Sequence, residues 1–298
     1  MIRPTCFGYN TETAHSNSFQ QTSNLTSTEI QSRALKEFES LAQKIEDAGI
    51  DLKIFNDTAI PQKPDAVFPN NWFSTHSDGT VVLYPMQSPL RRAERREDII
   101  EWLKAHYHVS RIVDFTHFEK QEKFLEGTGS LVFDHKRKIV FACTSPRTDA
   151  ELVQMAADEL GYASCIFTAV DKAGKEIYHT NVVMSISETF AVVCLECVTQ
   201  GKEKLQSELT IAGRETVEIN YEQLKNFAGN LLLLQNKNGE PFMVMSESAR
   251  KTFSPAQIRQ MENHASIIAT DLQTIETVGG GSARCMLAEI FLQKNLQI

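Results

Sequence analysis

The chain has 298 residues, 42% of them apolar and 23% charged, enough to bury a sizeable core in one large domain or two ordinary ones. A formal net charge of −8, with no long Lys/Arg run, argues against nucleic-acid or anionic-membrane partners. There is no apolar stretch of about 18 residues and no signal-peptide pattern at Met1-Ile2-Arg3-Pro4, so a cytoplasmic location is expected.

The segment from Thr11 to Leu25 is polar and aperiodic, and reads equally as a lid over a site or as an ordinary surface loop. Thr26 and Glu29 then form a capping box, and Ile30, Ala34, Phe38, Leu41 and Ile45 make one helical stripe. Gly49 stops this helix before a β-type run from Leu52 to Phe55.

Four hairpins follow. The first runs from Asn71 to His76, turns at Ser77-Asp78-Gly79 and returns over Val81 to Tyr84. The second runs from Gly129 to Phe133 and returns over Ile139 to Cys143; the third runs from Asn181 to Ile186 and returns over Phe190 to Val193. The fourth runs from Asn230 to Leu234, turns at Lys237-Asn238-Gly239 and returns over Phe242 to Met245. The D-G and N-G turns suit the positive φ of type I′ geometry.

Helices separate these hairpins. The run Arg91-Arg92-Ala93-Glu94-Arg95-Arg96 opens one that continues through Ile99, Ile100 and Leu103; its mixed charges predict a solvated face. His106 and His108 at its end do not share a helix face, so no metal site is expected there. After the second hairpin, Thr148 and Glu151 suggest a capping box, Leu152, Val153, Ala156 and Leu160 recur at helical spacing, and Gly161 suits the C′ position before the strand Cys165-Ile166-Phe167. Ser254-Pro255 opens a further helix through Met261, with Ile267-Ile268 as the next strand. The hairpins start at Asn71, Gly129, Asn181 and Asn230, about 50 residues apart, a period that implies a closed ring of repeats. With a final strand from Met286 to Leu292 returning to the N-terminal unit, the reading is about five ββαβ-like units around a pore, one domain over residues 1–298.

Six scattered cysteines (Cys6, Cys143, Cys165, Cys194, Cys197 and Cys285) read as reduced thiols. Cys194 and Cys197 form a C-x-x-C pair without a second pair, and are expected to be two buried strand thiols. Cys285 differs, because Gly279-Gly280-Gly281 precede it and leave little bulk in front of the sulfur. That is what a thiolate needs to approach a small planar carbon. Neither Gly127-Thr128-Gly129 nor Gly279-Gly280-Gly281 gives a G-x-G-x-x-G followed by a helix or a P-loop lysine, so nucleotide binding is not expected. In a ring, the polar groups near the hairpin starts meet at the axis: Asp65, Asn70 and Asn71; Glu126; His179 and Asn181; Cys285.

Five segments carry a resemblance: Pro64 to Asn71, Leu125 to Gly129, Ser145 to Asp149, His179-Thr180-Asn181 and the Cys285 turn. In this order they resemble the pentein superfamily of guanidine-modifying enzymes, which includes dimethylarginine dimethylaminohydrolases, arginine deiminases and amidinotransferases. The overall pattern is similar to the dimethylargininase-like hydrolases, among them proteins named for citrulline utilisation. The resemblance implies a five-fold pseudo-symmetric α/β-propeller of ββαβ repeats. It also implies a hydrolase of the C–N bond of a guanidino amino acid, of arginine or methylarginine type, working through a covalent thiouronium intermediate without metal or organic cofactor. Matched motif to motif, Cys285 is the nucleophile, His179 the acid/base and Glu126 the orienting carboxylate. Arg147 would hold the substrate carboxylate, and Asp65 and Phe68 would line its amidine end.

The chain departs from the pattern at Asn70, Asn71 and Asn181, where members that bind a full guanidinium carry acids. An amide donates as well as accepts, which suits a ureido group. Hydrolysis of a citrulline-like ureido substrate is therefore the second reading, beside an amidinotransferase and, outside enzymes, a catalytically silent binding protein. The expected partner is the small amino-acid substrate, with a homodimer allowed and no nucleic acid or membrane.

Overall fold

The computed structural model describes residues 1–210 and 213–295, and the fold is mixed α/β. Its strands are β1 (Ile2–Arg3), β2 (Phe55–Asn56), β3 (Phe73–Thr75), β4 (Thr80–Leu83) and β5 (Arg111–Asp114). They continue as β6 (Leu131–Asp134), β7 (Ile139–Thr144), β8 (Ala163–Ala169), β9 (Met184–Ile186) and β10 (Phe190–Val193). The last are β11 (Val198–Gln200), β12 (Glu215–Glu218), β13 (Leu232–Gln235), β14 (Pro241–Ser246) and β15 (Ser266–Thr270).

One plan recurs. An antiparallel hairpin is followed by a helix, and the helix returns a third strand parallel to the second: β3-β4-β5, β6-β7-β8, β9-β10-β12 and β13-β14-β15. The strand β11 adds to β8 as an antiparallel edge. In the N-terminal unit, β1 and β2 pair in parallel across the helix Ser27–Asp47.

Local chemistry sets the helix ends. Thr26 and Glu29 make both capping-box hydrogen bonds, and the stripe Ile30, Ala34, Phe38, Leu41 and Ile45 is buried. Each fully buried large apolar side chain contributes roughly 1.5–3 kcal/mol, so this face rather than helix propensity docks the element. Ser254 and Gln257 close a second capping box ahead of Pro255–Glu262, and Gly161 takes the left-handed conformation after Ala150–Leu160.

Five expectations are corrected. The helix after β7 is capped by Asp149, whose side chain accepts from Glu151 N and Leu152 N, while Thr148 donates its hydroxyl to Ser130. The segment Met286 to Leu292 does return to the N-terminal unit, where Leu292 packs with Ile2 and Phe55, but it is not a strand. Thr75 Oγ1 there donates to Glu289 O and accepts from Phe291 N, a side chain standing in for a strand ladder. The hairpin strands also begin two or three residues late, because a short turn comes first: Pro69–Asn71, Gly127–Ser130 and Thr180–Val183. Finally, Arg91 and Glu94 are buried rather than solvated, since each neutralises the other; Arg92 and Arg95 pair with Glu119, and Arg96 with Asp98. Cys194 and Cys197 are buried free thiols, placed on a 3-10 turn instead of a strand. Among the described residues no helix is long and apolar enough to cross a membrane.

Candidate active site

The turns that delay the strands also carry the candidate side chains. Phe68 and Glu126 sit at the N-cap positions of Pro69–Asn71 and Gly127–Ser130, His179 at that of Thr180–Val183, and Cys285 lies inside the turn Ala283–Met286. The turns pack backbone to backbone. A Cβ on Gly129 would lie 2.4 Å from Asn71 Nδ2 and 2.6 Å from His179 Nδ1, so only glycine admits the neighbouring turns.

Glu126 and His179 form the centre. The imidazole Nε2 lies 2.8 Å from Glu126 Oε2, and Glu126 Oε1 accepts from Gln87 N at 3.1 Å. Burial would raise the Glu126 pKa, but the charge of Arg147, the His179 hydrogen bond and Arg91 outweigh it and hold the carboxyl down to about 2. An ionised carboxylate only accepts, so Nε2 carries the proton and Nδ1 is left as the basic atom. Burial, with the charges of Arg147 and Arg91, pushes His179 down to about 4 against the pull of Glu126. The imidazole is thus neutral around pH 7.

Cys285 Sγ receives two amide donors, Asn230 Nδ2 at 3.3 Å and Asn181 Nδ2 at 3.5 Å. Asn230 also donates to Asn181 O and accepts from Arg284 N, which ties the sulfur's turn to two others. Cys285, His179, Asp65, Phe68, Asn71, Arg91 and Arg147 line one cavity with Gly279 to Gly281. Asn181 reaches it through the sulfur. Asn70, in contrast, is fully buried outside the cavity lining, and both ends of its amide lack a partner among the described residues.

Charge is concentrated here. Asp65 accepts from Asn10 Nδ2 at 2.8 Å and lies 3.7 Å from Arg91; burial pushes its pKa up against both. Arg91 pairs with Glu94 through two contacts of 2.9 Å and donates to Asn71 Oδ1 at 3.0 Å. Burial pushes Glu94 up to about 7, with Arg91 opposing. Arg147 stands 5.0 Å over the Tyr178 ring and 3.6 Å from Glu126.

The segment after Asn10 is the roof. Arg147 donates to Ser16 Oγ and Thr13 O, and Asn17 Nδ2 donates to Gly280 O at 3.1 Å. With this roof in place the cavity holds about 10 Å³, the room of a single water. A groove of about 1320 Å³ opens elsewhere, past Asn181 and Arg284, but neither Cys285 nor His179 lines it. Chemistry, not volume, selects the smaller cavity.

Arg91, Glu94, Tyr178 and Asn230 were not singled out by motif. Asn230 was the most accessible of them, since it opens the fourth hairpin at the position of Asn71 and Asn181.

Solved structures similar to the chain include the following. Apo ArgZ, an arginine dihydrolase from the ornithine–ammonia cycle in cyanobacteria, superposes with a TM-score of 0.75 at 16% identity, over 97% of this chain and 40% of that one. The substrate-bound N-terminal domain of ArgZ, as a cysteine-to-serine mutant, gives 0.75 at 17% identity over 98% of each chain. A dimethylarginine dimethylaminohydrolase adduct with S-methyl-L-thiocitrulline gives 0.62 at 13% identity over 96% of each. The chain therefore spans less than half of full-length ArgZ, and at these identities the likeness is one of fold. A search of curated proteins finds no significant match. The family model described as "N,N dimethylarginine dimethylhydrolase, eukaryotic" matches residues 3–292, and the chain belongs to that family.

Proposed function

We propose that the protein is a cysteine-dependent hydrolase of the C–N bond of a guanidino amino acid, carried on a five-unit pseudo-symmetric ring. The supporting observation is the convergence of Cys285 and His179, far apart in sequence, on one cavity that also holds Asp65, Arg91 and Arg147, with two amide donors behind the sulfur and Glu126 behind the imidazole. Asp65 faces the cationic end of the substrate, and the two arginines supply cations for its α-carboxylate.

In the reaction, Cys285 sulfur attacks the guanidino carbon, and its thiol proton passes to His179 Nδ1. The imidazolium, stabilised by ionised Glu126, returns that proton to the departing nitrogen, so the C–N bond breaks and a thiouronium remains on the sulfur. Water then attacks the same carbon with His179 as base. The carbon–sulfur bond breaks, the proton returns to the thiol, and a ureido product and one amine or ammonia leave. Neutral His179 is in the form that the first step requires.

A second reading extends the first. Asn71 Nδ2 is buried without a partner among the described residues and faces Gly129 and His179, where an amide can donate to a ureido oxygen. The ureido product would then undergo a second hydrolysis at the same sulfur.

The test is a panel of arginine, methylated arginines, citrulline, agmatine and succinylarginine, scored for ammonia or amine release by the wild type and by Cys285→Ser. Turnover of an arginine-type compound that disappears in Cys285→Ser is the expected result; undiminished turnover in that variant refutes the proposal. Consumption of citrulline supplied alone selects the second reading.

A further inference from the structure

Glu94, the acid that interrupts the Arg91 to Arg96 run, has no part in the chemistry above, yet it is 1% exposed. It follows the short helix Pro89–Arg92, and its two oxygens accept from Arg91 Nε and Nη2 at 2.9 Å each. Arg91 Nη2 donates its other hydrogen to Phe68 O, and Nη1 gives one to Asn71 Oδ1 at 3.0 Å. A guanidinium has five N–H groups fixed in one plane, so these four contacts leave a single N–H, on Nη1, uncommitted. Arg91 lines the reaction cavity.

A pair this deeply buried recovers little net stability after desolvation, so its consequence is orientation. Two other carboxylates compete for the same arginine: Asp65 at 3.7 Å and Glu126 at 3.6 Å. If Arg91 turned onto either, it would take the group that faces the substrate cation or the one that holds His179. Glu94 takes the Nε N–H that lies nearest Asp65, so that Asp65 does not capture the arginine, and leaves Nη1, the atom nearest Glu126, on the cavity side.

We propose that Glu94 is a positioning residue: its two-point clamp on Arg91 sets the plane in which Nη1 meets the carboxylate end of the substrate. The inference rests on the guanidino amino-acid reading above. It makes a substrate-dependent prediction that a purely structural role does not.

The experiment compares wild type, Glu94→Gln, Glu94→Asp and Arg91→Lys on arginine and on agmatine, which keeps the guanidinium and lacks the carboxylate. Agmatine is read as a substrate or, failing turnover, as a competitive inhibitor. Glu94→Gln should raise the KM for arginine about 10- to 100-fold, the scale of a misplaced binding group, without a comparable fall in kcat. The constant for agmatine should stay where it was, and Glu94→Asp should recover part of the loss. Arg91→Lys should erase the same preference for arginine. Equal weakening of both compounds in Glu94→Gln makes Glu94 structural and overturns the proposal. If Arg91→Lys keeps the preference intact, the carboxylate contact itself is wrong and the proposal falls with it. Failure of both compounds to engage the wild type instead refutes the functional reading.

Discussion

Two amides beside Cys285 and one carboxylate beside His179 decide how the site works at the scale of single residues. Asn181 and Asn230 place donors 3.5 and 3.3 Å from the sulfur, and a hydrogen bond to a charged acceptor is worth about 1.5–3 kcal/mol. Asn181→Ala should therefore lower kcat about 10- to 100-fold, read by steady-state ammonia release. An unchanged kcat would mean that the amide does not stabilise the thiolate. Gly129→Ala is a harsher change, because the added carbon would sit 2.6 Å from His179 Nδ1 and displace the base. It should cost about 100-fold or more in kcat/KM while the chain still folds. That the turns of Glu126, His179 and Cys285 would meet was expected from the sequence, the first two through the repeat period and Cys285 through its glycine turn. Arg91 and Glu94 were not legible: an alternating charge run has the same sequence pattern whether its members face water or pair with each other in the interior. Asn70 went the other way, expected beside the ligand and found outside the cavity lining, because adjacent residues on a 3-10 turn diverge.

Elements come next, and the roof is the one on which access depends. The one-turn helix Thr11–Ala14 is anchored at Asn10 on Asp65, at Glu12 on Ser88 and Leu90 N, and at Ser16 on Arg147. A cavity of about 10 Å³ admits no amino acid, so the proposed reaction requires the roof to lift. Gly280 has φ +65°, and a Cβ there would come within 2.5 Å of Asn17 Nδ2 and 2.9 Å of Gln20 N. Gly280→Ala should loosen the closed roof, raising KM and exposing residues 10–25 to limited proteolysis; protection equal to wild type would show that the contact does not latch it. The capping box at Thr26 and the helix start at Ser254 were readable because the residues that set them lie within four positions of each other. The Thr148 cap and the C-terminal strand were misread for one reason: in each, a distant side chain (Ser130, Thr75) takes the bond that local pattern assigned elsewhere.

For the whole molecule, the repeated hairpin–helix–strand plan was visible in sequence through its turn signals and period, whereas the short turns before each inner strand carried no signal of their own. Folding around a crowded centre has a linked cost in acid. Burial pushes His76, His135 and His179 each down to about 4 from an ordinary 6.5. The unfolded chain takes up protons below 6.5 that the folded chain accepts only near 4, so stability is lost as pH falls through that window. Glu126, held at about 2 against 4.5, contributes stability that is complete above 4.5 and is lost between 4.5 and 2. Urea midpoints should therefore drop from about pH 7 to about pH 5, less steeply in His179→Gln; a flat profile would contradict the assignment of neutral buried imidazoles.

The central claim is a covalent bond between substrate carbon and Cys285. Acid-quenching the wild type during turnover of a guanidino amino acid and weighing its peptides tests this directly. The account predicts a substrate-derived mass on the peptide containing Cys285 and on no other cysteine peptide, absent from Cys285→Ser. Steady product release with the Cys285 peptide never carrying such a mass, and with Cys285→Ser still active, would contradict it.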